Sequence, residues 1–278
     1  MGKYIPNTST EQKEMLKEIG FASFDELFSH VPKEVKLSAE LNIPSGKSEL
    51  EVRKIMTGMA KKNHVFPVIF RGAGAYRHFI PAIVKSVISK ENFLTSYTPY
   101  QAETSQGVLQ SIFEYQTMIC DITGMDVSNA SIYDGASAAA EAVNMCRERK
   151  RSKALVSALM HPDYISAIKT YCHGNGMEVE IIPEKNGLTD IDYIKAHADE
   201  GTAVVFIQHP NFHGNLEKAQ EIGEIAHEKG AKFGMSVNPI SLGLVKSPRE
   251  YGADVAVGDG QALGLPISFG GPYIGFMA

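Results

Sequence analysis

Ala203-Val204-Val205-Phe206-Ile207 is the stretch that decides the fold. It is apolar on both parities, follows Thr202, and ends in the polar loop Gln208-His209-Pro210-Asn211-Phe212-His213-Gly214. A run this short and uniformly apolar reads as a strand covered on both faces. Similar runs lie upstream at 154–159 and 178–182, and downstream at 231–237 and 254–257. Helical patterns at 163–171, 191–197 and 216–229 separate them. Strands alternating with helices build a parallel sheet with helices on both sides. The fold class expected is α/β, doubly wound.

Toward the N-terminus the pattern changes to short helices. Ser9 and Gln12 have capping-box spacing before Met15, Leu16 and Ile19, and Gly20 closes that helix. A second helix is expected over 24–31, ahead of Pro32. A third starts at Ser48 with Glu51 three residues on. Such helices are too short to stand alone, so residues 1–70 read as a helical segment that wraps a neighbour or a partner, and 71–278 as the main domain. The last residues, Tyr273 to Ala278, read as a strand, so further chain beyond them is expected.

The 278 residues are 44% hydrophobic and 21% charged, with net charge −5. That balance suits a globular protein and argues against a nucleic-acid binder, which is usually basic. The one basic cluster, Arg147 to Lys153, is expected to sit at a helix C-terminus, where cations complement the dipole. No apolar run is long enough for a membrane span, and Met1-Gly2-Lys3-Tyr4-Ile5-Pro6 lacks a myristoylation hydroxyl. Cys120, Cys146 and Cys172 are far apart and read as packed, reduced thiols of a cytoplasmic protein.

Chemistry concentrates in the loops. Ser96-Tyr97-Thr98-Pro99-Tyr100-Gln101-Ala102-Glu103-Thr104-Ser105-Gln106-Gly107 leads into a helix over 108–123 with far more polar and aromatic groups than capping requires. The competing reading is a wide polar turn. Tyr133-Asp134-Gly135-Ala136-Ser137 opens a helix expected over 138–149, and reads either as a phosphate cup formed by Gly135, Ala136 and Ser137 or as a simple cap. Gly72-Ala73-Gly74 and Gly258-Asp259-Gly260 lack the Lys-Ser/Thr of a phosphate loop. The second lies after a strand, yet Pro266 and Gly270-Gly271-Pro272 leave no helix to receive a dinucleotide. His209 and His213 lie in a Pro/Gly loop rather than on a helix, which disfavours metal. His209 and His161 both follow strands, at the edge where α/β sheets bind ligands, so both are candidate ligand contacts, with a structural histidine as the alternative.

With these segments in view, the chain resembles a known family. Residues 97–107, the run Gln116 to Met125, Asn129-Ala130-Ser131-Ile132-Tyr133-Asp134-Gly135, Gln208 to Gly214, Pro239-Ile240-Ser241-Leu242-Gly243 and Gly270-Gly271-Pro272-Tyr273 look like the P-protein of the glycine cleavage system. Within it they look most like subunit 1 of the two-subunit glycine dehydrogenase (decarboxylating). The resemblance implies an aspartate-aminotransferase-like fold, fold type I of the pyridoxal-phosphate enzymes, with a C-terminal domain that this sequence lacks. It also implies an oxidoreductase complex in which a catalytic, paralogous subunit 2 holds pyridoxal 5'-phosphate. That complex would decarboxylate glycine and pass the aminomethyl group to the lipoyl arm of the H-protein.

In the family's catalytic subunit a lysine binds the cofactor covalently and an aspartate pairs with the pyridine nitrogen. The matching positions here hold Gln261 and Asn238, and an amide does neither job. Lys246 stands off the matching position and reads as a surface group. This chain is therefore expected to bind no cofactor and no metal alone, and to complete a partner's site through Tyr97, Tyr100 and Glu103, the alternative being that this loop only stabilises the subunit contact. The rival readings are a self-sufficient pyridoxal-phosphate enzyme, a nucleotide-binding oxidoreductase, and a purely structural scaffold.

Overall fold

In the computed structural model, the structure describes residues 6–278 except 38, 40, 71 and 73. The opening residues 1–5 and Ala73 of the Gly72–Gly74 pair therefore lie outside the described residues. The chain divides into two compact units, one ending at Phe70 and one running from residue 71 to Ala278.

The first unit carries α1 (Ser9–Glu18), α2 (Phe24–Leu27) and α3 (Glu49–Ala60). Thr8, not Ser9, caps α1: its hydroxyl accepts from Glu11 N–H at 3.3 Å, and the Glu11 carboxylate accepts from Thr8 N–H at 2.6 Å. The anionic side chain of Glu11 suits the positive helix end better than the neutral amide of Gln12. α2 is one turn long and gives way to turns before Pro32, whereas Ser48 and Glu51 form the expected box at α3. Leu16 is the only buried residue among those described in this unit.

The second unit opens with α4 (Ala82–Ile88), α5 (Glu91–Leu94), α6 (Gly107–Thr123) and α7 (Gly135–Met145). Then come β1 (Lys153–Ser157), α8 (Pro162–Asn175), β2 (Glu178–Ile182), the small hairpin β3 (Glu184–Lys185) and β4 (Leu188–Thr189), and α9 (Ile191–His197). β5 (Thr202–Gln208), α10 (Ala219–Glu228), β6 (Lys232–Ser236), β7 (Val255–Asp259) and β8 (Gly275–Met277) complete it. The main sheet has the order β2-β1-β5-β6-β7-β8, parallel except for β8, which pairs antiparallel with β7.

The two-sided apolar strands do what their pattern requires. Leu155, Val205 and Phe233 stand side by side across β1, β5 and β6 and pack with Ile194, Ile222 and Ile225 of α9 and α10. On the other face, Ala154, Val156, Val204, Phe206, Val255 and Val257 meet Ala138, Ala139, Val143 and Ile168 of α7 and α8. Each large apolar side chain buried this way contributes about 1.5–3 kcal/mol. Gly234 is needed between Phe206 and Val255, because a Cβ there would stand 2.2 Å from the Phe206 ring.

α7 starts and ends earlier than expected, and Glu148 and Arg151 bridge in a tight turn behind it. The basic cluster thus sits where α7 ends, as expected, but forms a turn of its own, and its cations reach other helices. Arg147 donates to Asn175 O at 2.6 Å, Arg151 to Lys229 O at 3.2 Å, and Lys153 to His197 O at 2.7 Å. Those carbonyls close α8, α10 and α9, so the cluster satisfies three helix C-termini at the edge where the strands begin. No helix among the described residues is long and apolar enough to cross a membrane.

Candidate functional site

β1, β5, β6 and β7 run parallel, so their C-terminal ends share one edge. The loops after them enclose a cavity of about 240 Å³. His161, Tyr164, Phe212 and Tyr76 supply its aromatic walls, and Gln208, Asn211, Asn238 and Gln261 its amides. Asp259 is its carboxylate, and neither lysine nor arginine lines it among the described residues.

His161 stands in this cavity as expected. Its Nδ1 accepts from Asp163 N–H at 3.1 Å, capping α8, and its ring meets Phe212 edge-on at 4.9 Å. Gln208 at the end of β5 accepts from His161 N–H at 2.8 Å, joining the β1 and β5 loops. His209 is different. It is 1% exposed and does not line the cavity. Its Nδ1 accepts from Glu217 N–H at 3.2 Å, and its ring meets Tyr251 edge-on. Burial lowers its pKa and keeps it neutral. The expectation of a ligand contact at His209 is corrected to a structural histidine, because alternation along the strand end turns its side chain away from Gln208 and into the core.

The N-terminus of α7 lies behind Asp259 and Tyr164, two of the residues that line this cavity. Asp134 caps it by accepting from Ser137 N–H at 2.7 Å. The Asp259 carboxylate, at the end of β7, accepts from Gly135 N–H at 3.1 Å through Oδ2 and from Gln261 N–H at 2.8 Å through Oδ1. Gly135 is buried beneath Tyr164, whose hydroxyl would be 1.9 Å from any Cβ at that position. Burial raises the Asp259 pKa, outweighing the two N–H donors, and the Asp134 charge adds to the rise. Burial likewise pushes the Tyr164 phenol far up, with Asp259 and Asp134 reinforcing it, so that group stays neutral. The turn Gly135-Ala136-Ser137 is thus a helix end already answered by two carboxylates of the chain itself.

Gln261 is 2% exposed and fully engaged. Its amide pairs with both backbone groups of Tyr76, accepting from N–H and donating to C=O at 3.1 Å each, and it donates to Leu265 O at 2.8 Å. Asn238 caps the turn Pro239–Gly243, accepting from Ile240 N–H at 3.0 Å. Lys246 is exposed and away from the cavity. A pyridoxal phosphate needs an amine for its aldehyde, a carboxylate for its ring nitrogen and free donors for its phosphate. The residues present at this cavity do not fit it. Nor does a helix follow β7 to receive a dinucleotide: the segment after it is a 3₁₀ turn, Gln261–Leu263. Among the described residues no three His, Cys, Asp or Glu side chains cluster to hold a metal ion.

The loop 96–107 has another character. Glu103 organises it: Oε1 accepts from Ser96 Oγ at 2.8 Å and Tyr97 N–H at 3.0 Å, and Oε2 from Thr98 N–H at 3.2 Å and Thr98 Oγ1 at 3.1 Å. The Ser96 hydroxyl, followed by the Thr98 N–H, lowers its pKa. Tyr97 and Tyr100, 90% and 77% exposed, point outward from this frame. Of the three residues expected to reach a partner, the two tyrosines are presented, while both oxygens of Glu103 are committed within the loop.

Asp259, Tyr164 and Tyr76 were not singled out from sequence. Asp259 stood in plain view inside Gly258-Asp259-Gly260, and a carboxylate in a supposed phosphate loop is the signal that could have found it.

Known proteins extend this geometry. Residues 2–278 match the family model described as glycine cleavage system P-protein. The chain is 52% identical over 279 residues to a probable glycine dehydrogenase (decarboxylating) subunit 1 of Carboxydothermus hydrogenoformans, covering 99% of this chain and 63% of that protein. A protein of the same description from Desulforamulus reducens is 49% identical, with the same coverage. A crystal structure of glycine decarboxylase (P-protein) of the glycine cleavage system, in inhibitor-bound form, superposes with a TM-score of 0.87 at 43% identity, over 100% of this chain and 62% of that one. A NifS-like protein superposes at a TM-score of 0.54 and 15% identity, over 73% of this chain and 56% of that one, which speaks to fold alone. The chain spans a little over three fifths of the length of these curated relatives. On these matches, and with the mostly parallel sheet of a fold type I pyridoxal-phosphate enzyme, the chain belongs to the glycine cleavage system P-protein family.

Proposed function

We propose that this chain is the cofactor-free part of a two-polypeptide glycine decarboxylase. One observation carries the reading: the cavity where the fold would hold pyridoxal phosphate has no amine, the amide at 261 is spent on the chain's own backbone, and position 238 offers a neutral amide where the ring nitrogen would need a carboxylate. A paralogous subunit then holds the cofactor, which when bound supplies the electron sink that glycine decarboxylation requires. The aminomethyl group passes to the lipoyl arm of the H-protein, in the cytoplasm.

This chain's own contribution is to place groups. Glu103 fixes the backbone of Tyr97 and Thr98, so that Tyr97 and Tyr100 are held out toward the partner's site without paying for loop ordering on contact. Aromatic side chains with a polar tip suit such an interface, giving contact area and one hydrogen bond each. Phe113 and Met118 of α6, 70% and 55% exposed, extend the apolar surface that a partner would cover.

Co-expression with the paralogous subunit, followed by assay of glycine–carbon dioxide exchange, tests the reading. Exchange is expected only when both polypeptides are present. Borohydride fixation of the cofactor followed by peptide mapping should place it on the paralogue alone. A modified lysine in this chain would sink the assignment.

A further inference from the structure

The N-terminus of α7 is where this fold could accept an anion, and it is occupied from within. Asp259 comes from β7, 124 residues away in sequence, and its carboxylate reaches Gly135 N–H at 3.1 Å. Its second oxygen holds Gln261 N–H at 2.8 Å, and Asp134 takes Ser137 N–H at 2.7 Å. Above Gly135 the space is filled by the Tyr164 hydroxyl. A simple helix cap needs one short polar side chain from the preceding residue, and Asp134 is that cap. A second carboxylate delivered by a distant strand is more than capping requires. It shares the positive end of the helix dipole, and it would repel any phosphate approaching the same donors.

Resting on the reading above, that this chain carries no cofactor, we propose that Asp259 is an internal stand-in for phosphate. It closes the anion site, so that the cavity refuses phosphorylated ligands independently of the missing lysine. Two separate locks follow: the Gln261 amide fastened to Tyr76, and the Asp259 carboxylate seated on α7. Restoring an amine opens only the first.

The test uses the assembled complex, with Gln261→Lys, Asp259→Ser and the double variant in this chain. After borohydride fixation in pyridoxal phosphate, peptide mapping separates the two polypeptides. Modification at position 261 is expected in the double variant and absent in Gln261→Lys. Equal modification of both would overturn the inference, as would an unmodified double variant that melts at the wild-type temperature. Because replacing Gln261 removes its two hydrogen bonds to the Tyr76 backbone, Asp259→Ser alone gives an independent measurement. Millimolar inorganic phosphate should slow amide hydrogen exchange of the 135–137 peptide about tenfold in that variant and leave the wild type unchanged. No phosphate effect in Asp259→Ser rejects the proposal. Cofactor mapped to this chain in the wild-type complex would instead overturn the cofactor-free reading, so the two failures are distinct.

Discussion

Two regions of this molecule use the same chemical device to opposite ends. At the 96–107 loop, Glu103 gathers nearby N–H and hydroxyl groups, and the result presents Tyr97 and Tyr100 to the outside. At the α7 corner, Asp259 gathers the N–H groups of Gly135 and Gln261, and the result fills the helix end beside the cavity. A carboxylate that accepts several backbone donors is a local organiser. Whether it builds a site or fills one depends on what it displaces. The pKa directions follow: the open loop lowers Glu103 through its hydrogen bonds, whereas burial raises Asp259.

The largest expected effect tests the presenting region. Tyr100→Ala in the assembled complex should lower glycine–carbon dioxide exchange by about a hundredfold, the scale of losing one positioned group. Subunit assembly by sizing and cofactor content should not change; unaltered exchange would reduce the loop to a connector. Glu103→Ala should act through the tyrosines, with a loss nearer tenfold and faster proteolysis of the 96–107 segment. Glu103→Gln, whose one oxygen still accepts from one pair of donors while its NH2 cannot accept from the other, should recover part of the activity.

The filled region should respond in stability instead. Gly135→Ala forces a methyl into the Tyr164 hydroxyl and should cost about 1–3 kcal/mol in denaturant unfolding. Gln261→Leu removes the two hydrogen bonds to the Tyr76 backbone and the one to Leu265 O, a loss of about 1–3 kcal/mol. Neither should alter the amount of cofactor bound per complex. A drop in cofactor content with Gln261→Leu would place the cofactor in this chain after all.

The smallest effect is in pH dependence. Glu103 has a lowered folded pKa, so its stabilisation is present above its unfolded value of 4.5 and is lost as pH falls through the folded value. Asp259 has a raised one, so its contribution is complete below 3.8 and is lost as pH rises through the folded value. Carboxyl-carbon NMR titration should show the two moving to opposite sides of their ordinary values. Asp259→Asn should flatten the decline in stability above pH 3.8.

Periodicity alone made the strand–helix alternation readable, because a parallel sheet buried on both faces demands apolar residues on both parities, as at 203–207 and 154–157. Helix ends were less legible. Thr8 and Ser9 offer the same spacing, and only the charge of Glu11 at the helix end separates them. His209 and His161 look alike in sequence, each a histidine before proline after a strand. One is buried against Tyr251 and the other lines the cavity, because the register of each strand end decides which way the side chain points.

By itself the sequence determined the fold class and put amides at positions 261 and 238, since these depend on residue type and local spacing. The tertiary structure alone decided that Asp259 sits on α7, that Gln261 grips Tyr76 and that Glu103 serves its own loop. Hydrogen bonds between residues 124 or 185 positions apart leave no periodic trace in a chain; they exist only once the strands have brought their ends to one edge.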